Sequence, residues 1–236
     1  MKAATLARLN AARRQGVAVV RAVDVETGDE ILIDPNSDSS MLGAAAAAAS
    51  RADRSMPVEC EGRRWFLCVY NPPLDLVIIG AVHIAQFLAP MALLADYRVR
   101  IIDPRAGFAT PARFPGVELC HDWSDEALTN APLGKRSALV ALTHDPKLDD
   151  PALAMALASD CFYIGALGSK KNHAGRLARL QTQGFEERAL ARIHGPVGLA
   201  IGARSPAEIA VSILAEMTSR LRADGDWERS AVRATA

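Results

Sequence analysis

Three stretches of the chain gather residue types able to hold an anion or move a proton. The first is Gly80-Ala81-Val82-His83-Ile84-Ala85, where a glycine turn aims backbone N–H groups and the positive end of a helix at one spot. The second, Thr143-His144-Asp145-Pro146-Lys147-Leu148-Asp149-Asp150-Pro151, crowds a histidine and three aspartates together. The third, Gly165-Ala166-Leu167-Gly168-Ser169-Lys170-Lys171-Asn172-His173, offers free N–H groups, a hydroxyl and two mobile ammonium groups, the ingredients of an anion cradle. Its plainer reading is a turn with a solvated lysine pair. Arg105 and Arg113 could likewise meet an anionic ligand or stay solvated in their loop.

The first stretch nearly matches a dinucleotide fingerprint. Asp103 lies about twenty positions after Gly80, where such units place the carboxylate that reads a ribose. The fingerprint reads G-x-G-x-x-G/A, and Val82 replaces its second glycine. A Cβ at that point crowds a diphosphate, so the turn keeps the fold inference while arguing against a standard dinucleotide. His83 reads either as a ligand contact or as a first-turn helix residue. His144 and Asp145 suggest an acid/base or metal pair, but adjacent strand residues point to opposite faces, and no metal site is expected. His194, before Gly195-Pro196, reads equally well as structural. No G-x-S-x-G, H-E-x-x-H or Walker lysine occurs, and no residue stands out as a general acid for hydride transfer.

The elements that must position these residues follow from hydrophobic period. Leu76 to Ile79 is an unbroken apolar run, the pattern of a strand buried on both faces, and helical spacing runs from His83 to Ala95 before a strand from Arg98 to Ile102. Further strands are expected at Val117 to Cys120, Ser137 to Leu142 and Asp160 to Ile164. Helices are expected from Asp125 after a cap at Ser124, over Ala152 to Ala158, over Asn172 to Gln181, and from Ser205-Pro206-Ala207-Glu208 to about Arg222. The segment from Pro104 to Gly116 is expected to lie across the strand ends, and Arg192 to Arg204 reads as a glycine-rich loop. This alternation predicts an α/β fold, a Rossmann-like doubly wound parallel sheet over 74–223. Ahead of it, a helix, two hairpins and an alanine-rich helix at Met41 to Ala52 predict a small α+β domain over 1–71, bounded by Asn71-Pro72-Pro73, and 224–236 reads as a flexible tail.

Lys plus Arg and Asp plus Glu balance at 27 each over 236 residues, so no basic stripe argues for nucleic acid or an anionic membrane surface. No apolar run approaches twenty residues, and Met1 to Arg14 lacks the apolar core and cleavage site of a signal peptide, which makes the cytoplasm the expected compartment. Cys60, Cys68, Cys120 and Cys161 form no C-x-x-C pair and read as reduced thiols in or beside apolar strands.

Taken together, five segments in order resemble the XdhC/CoxI family, maturation factors of molybdenum hydroxylases such as xanthine dehydrogenase and aerobic carbon monoxide dehydrogenase. They are Val77 to Ala85; Ile102-Asp103-Pro104-Arg105 with Phe108-Ala109-Thr110 and Arg113-Phe114-Pro115; Leu142-Thr143-His144-Asp145; Tyr163 to Lys171; and Ile193 to Leu199 with Ile201 to Ala210. The resemblance implies binding of the molybdenum cofactor (molybdopterin), help with its sulfuration through a cysteine desulfurase, and delivery to a molybdenum hydroxylase apo-enzyme, often by a homodimer. It implies a cofactor-binding maturation chaperone with no catalytic residue. The cofactor would meet Gly80, Ala81, Val82, His83, Asp103, Arg105, His144, Gly165, Gly168, Ser169, Lys170, Lys171 and Arg204. Of these, Gly80, Lys170, Lys171 and Arg204 would face its phosphate. Longer members carry an N-terminal glycine-glycine-cysteine motif that residues 1–71 lack, so the chain reads as a short form, and Val82 stands where most members have glycine. Two other readings remain: an NAD(P)-dependent oxidoreductase of a small substrate, and a binding module without a small ligand that acts through the hydroxylase or the desulfurase.

Overall fold

The computed structural model describes residues 2–222, so the tail expected from Asp224 lies outside the described residues. The chain divides into two compact units, one reaching to Pro73 and taking in Arg222, the other spanning Leu74–Leu221.

The first unit contains α1 (Ala3–Gln15), β1 (Val19–Asp24), β2 (Glu30–Ile33), α2 (Met41–Arg51), β3 (Met56–Cys60) and β4 (Arg63–Tyr70). Its strands form an antiparallel sheet in the order β2-β1-β4-β3. Alternation along β1 turns Val20 and Ala22 inward, where they meet Ile33, Trp65 and Leu67. Helix α2 buries Gly43, Ala46 and Ala49, with Leu42 and Ala45 partly buried beside them, and the small buried residues let the helix lie close to the sheet.

The second unit runs β5 (Leu74–Ile79), α3 (His83–Leu94), β6 (Tyr97–Ile102), β7 (Glu118–Cys120), α4 (Ser124–Asn130), β8 (Ser137–Ala141), α5 (Pro146–Leu157), β9 (Tyr163–Ala166), α6 (Lys170–Thr182), α7 (Glu187–Leu190), β10 (Ile193–His194) and α8 (Pro206–Arg222). Its six strands are all parallel in the order β10-β9-β8-β5-β6-β7. The direction of winding therefore reverses between β5 and β8. In open α/β sheets that reversal opens a crevice at the carboxyl ends of the strands. Both faces of β5 are covered: Leu76 and Ile78 pack with α3 and α8, while Val77 and Ile79 pack with α4, α5 and α6.

Several local expectations need correction. Helix α5 begins at Pro146, not Ala152, because Asp145 accepts the Lys147 N–H at 2.9 Å and Pro146 fits the first turn. Pro151 is carried inside the helix rather than stopping it. Asp149 and Asp150 therefore sit on the first turns of a helix, and Asp149 reaches back to the end of β8 through Thr143 and His144. Ser124 is not a cap; Trp123 occupies the cap position and Ser124 Oγ donates to the Leu148 carbonyl at 2.8 Å, tying α4 to α5. Helix α6 starts two residues earlier than expected, at Lys170. The glycine-rich segment after Arg192 holds a short strand, β10, paired with β9. The Ser205 cap and its reciprocal Glu208 bond form as expected, with distances of 3.2 and 2.9 Å.

Candidate functional site

The carboxyl edge of the six-stranded sheet gathers three turns. At the first, Gly80 takes φ 103°, a conformation open to glycine, and a Cβ there would collide with the Thr143 side chain. The Gly80 N–H donates to Ile102 O and the Leu142 N–H donates to Ile79 O, each at 2.9 Å, so the turn is held between the ends of β6 and β8. Ala81 N–H donates to Asp103 Oδ2 at 2.8 Å. Arg105 closes the same carboxylate, its N–H and Nε reaching Oδ1 at 3.0 and 2.8 Å and its Nη2 reaching Oδ2 at 2.8 Å. Asp103 is fully buried. Burial opposes its ionisation, but the bonds from Arg105 and Ala81 outweigh that and hold the carboxyl below its usual range.

Asp103 is therefore a tie across the turn, with both carboxylate oxygens already bonded within the chain. The Ala81 N–H that a diphosphate would want is given to Asp103, and Arg105 spends its fork there while lying 4.7 Å over the Phe108 ring. Val82 precedes α3 with φ −89° and packs its side chain against the core. His83 is exposed in the first turn of α3 and tilts against Phe87 at 5.4 Å. Arg113 donates to the Phe108 carbonyl at 2.5 Å and to Gln86 at 3.3 Å, pinning its loop to α3.

The second turn follows β8. His144 is exposed and takes φ 66°, so it and Asp145 are not strand neighbours pointing to opposite faces. Asp149, buried in the first turn of α5, gathers this turn: Thr143 Oγ1 donates to Oδ1 at 2.7 Å and the His144 N–H to Oδ2 at 3.1 Å. Arg176 of α6 approaches the same carboxylate at 3.5 Å. Burial pushes the Asp149 carboxyl up, against the pull of Thr143 and Arg176.

The third turn joins β9 to α6. Gly168 has φ 144°, and the place of its absent Cβ lies 3.9 Å from both His144 Nδ1 and Arg176 Nη1, so the second and third turns converge there. Ser169 caps α6, its hydroxyl accepting the Asn172 N–H at 3.2 Å. Lys170 and Lys171 are exposed in the first turn, and among the described residues no acceptor faces their N–H groups.

Two further expected residues have structural contacts of their own. Gly165 is inside β9, where a Cβ would press on Val197 and the Tyr163 ring, so its role is packing. Arg204 is exposed before α8 and gives its N–H to Glu208 at 2.7 Å. His194 stacks on Tyr163 at 4.9 Å, and its Nδ1 lies 3.2 Å from Glu216, whose other oxygen takes the Tyr163 hydroxyl at 2.5 Å. Thr143 and Asp149 lie in the stretch that the sequence singles out, but Arg176 is not foreseeable, because an arginine well inside an amphipathic helix gives no local sign of meeting an aspartate of another helix.

The family model for the XdhC Rossmann domain matches residues 76–217, all but the first two residues of this sheet and the last turn of α8. The chain belongs to the XdhC family. Among its relatives, the molybdenum cofactor insertion chaperone PaoD of Escherichia coli is 31% identical over 66% of this chain and 43% of its own length. A probable xanthine dehydrogenase subunit of Bacillus subtilis is 30% identical over 64% of this chain and 44% of its own length. The chain thus spans under half the length of these curated relatives. The crystal structure of a xanthine dehydrogenase from Bacillus halodurans shares the fold with a TM-score of 0.73 at 23% identity, over 94% of this chain and 65% of that one. In this XdhC domain no helix among the described residues is long and apolar enough to cross a membrane.

Proposed function

We propose that the chain is an accessory factor in molybdenum hydroxylase maturation that holds the molybdenum cofactor at the strand ends and passes it to an apo-enzyme. The observation that carries this reading is the convergence of His144, Gly168 and the open first turn of α6, with Lys170 and Lys171, on one edge of an XdhC Rossmann domain. These residues fit an anionic cofactor: free N–H groups, a positive helix end and two ammonium groups meet a phosphate, and the buried donors of Arg176 lie behind them. Ser169 shapes the helix start, Gly80 and Ala81 border the crevice, and Asp103 with Arg105 keeps that border rigid. Val82 and His83 lie at the start of α3 on the same edge. When bound, molybdopterin supplies the redox chemistry of the client hydroxylase, whereas this chain's residues bind, orient and release it. Sulfuration through a cysteine desulfurase, homodimerisation and cytoplasmic residence follow from the family resemblance as further parts of this proposal.

The purified protein, denatured and its released small molecules identified by mass spectrometry, is expected to yield a pterin. Release of a nicotinamide nucleotide instead, or failure of added molybdopterin to co-elute on gel filtration, overturns the reading.

A further inference from the structure

Behind the third turn lies the charged group, Arg176, whose buried donors carry the proposed phosphate contact further than the surface lysines do. Arg176 is only 4% exposed, and its partner Asp149 only 1%. Its Nη2 serves the Leu167 carbonyl at 2.9 Å and Asp149 at 3.5 Å, while Nε and Nη1 are buried with no acceptor. A buried donor left without an acceptor is costly, so a guanidinium with two of them is placed for a partner that arrives later. Nη1 and His144 Nδ1 both lie 3.9 Å from the point where a Gly168 Cβ would stand. A side chain at Gly168 would fill that point; glycine keeps it clear. His144 is exposed and Arg176 is not, so an anion enters from the His144 side. Besides Lys170 and Lys171, α6 carries the half-buried His173, which packs against Gly195, and burial together with the Arg176 charge lowers the pKa of its imidazole. Asp149 is thus the carboxylate that an arriving anion must share Arg176 with.

We propose that the turn between β9 and α6 is a seat for a phosphomonoester, gripped by Arg176 Nη1 and His144 Nδ1 over Gly168, with the first N–H groups of α6, Lys170 and Lys171 on its outer oxygens. The three terminal oxygens of a monoester supply an acceptor for each of these three sets of donors: Arg176, His144 and the first turn of α6. A diphosphate fits less well: Asn172 Cβ lies 3.3 Å from the Gly168 Cβ position and limits the inner side, and at the neighbouring turn the Ala81 N–H is already bonded to Asp103. The identity of the ligand as a pterin's terminal phosphate rests on the proposed function; the seat itself does not.

The test is a titration of the full chain with inorganic phosphate, followed by the ¹⁵N-resolved Nε–H signal of Arg176. A saturable shift of that signal is expected. Arg176→Lys, which keeps a charge beside Asp149, is expected to weaken phosphate binding about tenfold, the factor for losing one charge-assisted bond. His144→Gln, on the exposed side of the seat, is expected to weaken it severalfold, and with the wild-type signal it carries the test should the lysine variant not fold. No saturable shift, binding that ignores both substitutions (an adventitious ion only), or pyrophosphate binding as tightly as phosphate overturns the proposal. If phosphate binding depends on Arg176 but the protein neither carries nor retains molybdopterin, the seat stands and the cofactor reading falls. If molybdopterin is retained undiminished by Arg176→Lys and His144→Gln, the seat falls and the cofactor reading stands.

Discussion

At the scale of single residues, the strand edge depends on two buried carboxylates used in different ways. Asp103 is saturated by Arg105 and Ala81, whereas Asp149 is shared among Thr143, His144 and a longer contact to Arg176. Removing one charge from a buried pair leaves the other uncompensated, and Asp149→Asn is expected to lower stability by about 3 kcal/mol in urea unfolding. A loss under about 0.5 kcal/mol, the range of ordinary surface substitutions, would show that Arg176 does not depend on Asp149. The turn glycines are legible in the sequence because a left-handed backbone between strand and helix leaves few alternatives. The task of Asp103 is not legible, since nothing in Asp103-Pro104-Arg105 says that the arginine folds back onto the aspartate two residues before it.

At the scale of elements, α1 and β1 are both joined to β2 through Glu30. Its carboxylate accepts from Thr5 Oγ1 and the Lys2 N–H at 2.5 and 2.8 Å and from Arg21 Nε at 2.7 Å, and these bonds hold its pKa at about 2 against an ordinary 4.5. The folded state thus releases this proton more readily than the unfolded chain, so the stabilisation is complete above pH 4.5 and is lost as pH falls toward 2. Glu30→Gln is expected to flatten that part of the acid-unfolding profile read by circular dichroism; an unchanged slope between those limits would remove Glu30 as its source. Most elements of both units follow from apolar period and capping residues. The exceptions have physical reasons: Pro151 imitates a helix stop inside α5, and β10 is too short to show a period of two, being defined only by its pairing with β9.

At the scale of the whole molecule, two half-buried histidines set a limit on acid tolerance in the second unit. Burial lowers the pKa of His173, with the charge of Arg176 adding to it, and burial lowers that of His194 despite the opposing Glu216. Both rings bind protons less readily folded than unfolded, so stability is full above the ordinary value of 6.5 and falls as pH drops through the lowered values. The urea midpoint is expected to decline from about pH 7.5 toward about pH 5.5, and less steeply in His194→Gln. A flat midpoint across that range would show that the two rings protonate without cost.

The edges of the parallel sheet carry a consequence for assembly. β7 has three residues and β10 has two, so neither edge offers a run of unpaired N–H and C=O groups long enough to template another strand. Copies of this domain that associate must therefore meet through helix faces or loops, and a continuous sheet shared between two copies is closed to it.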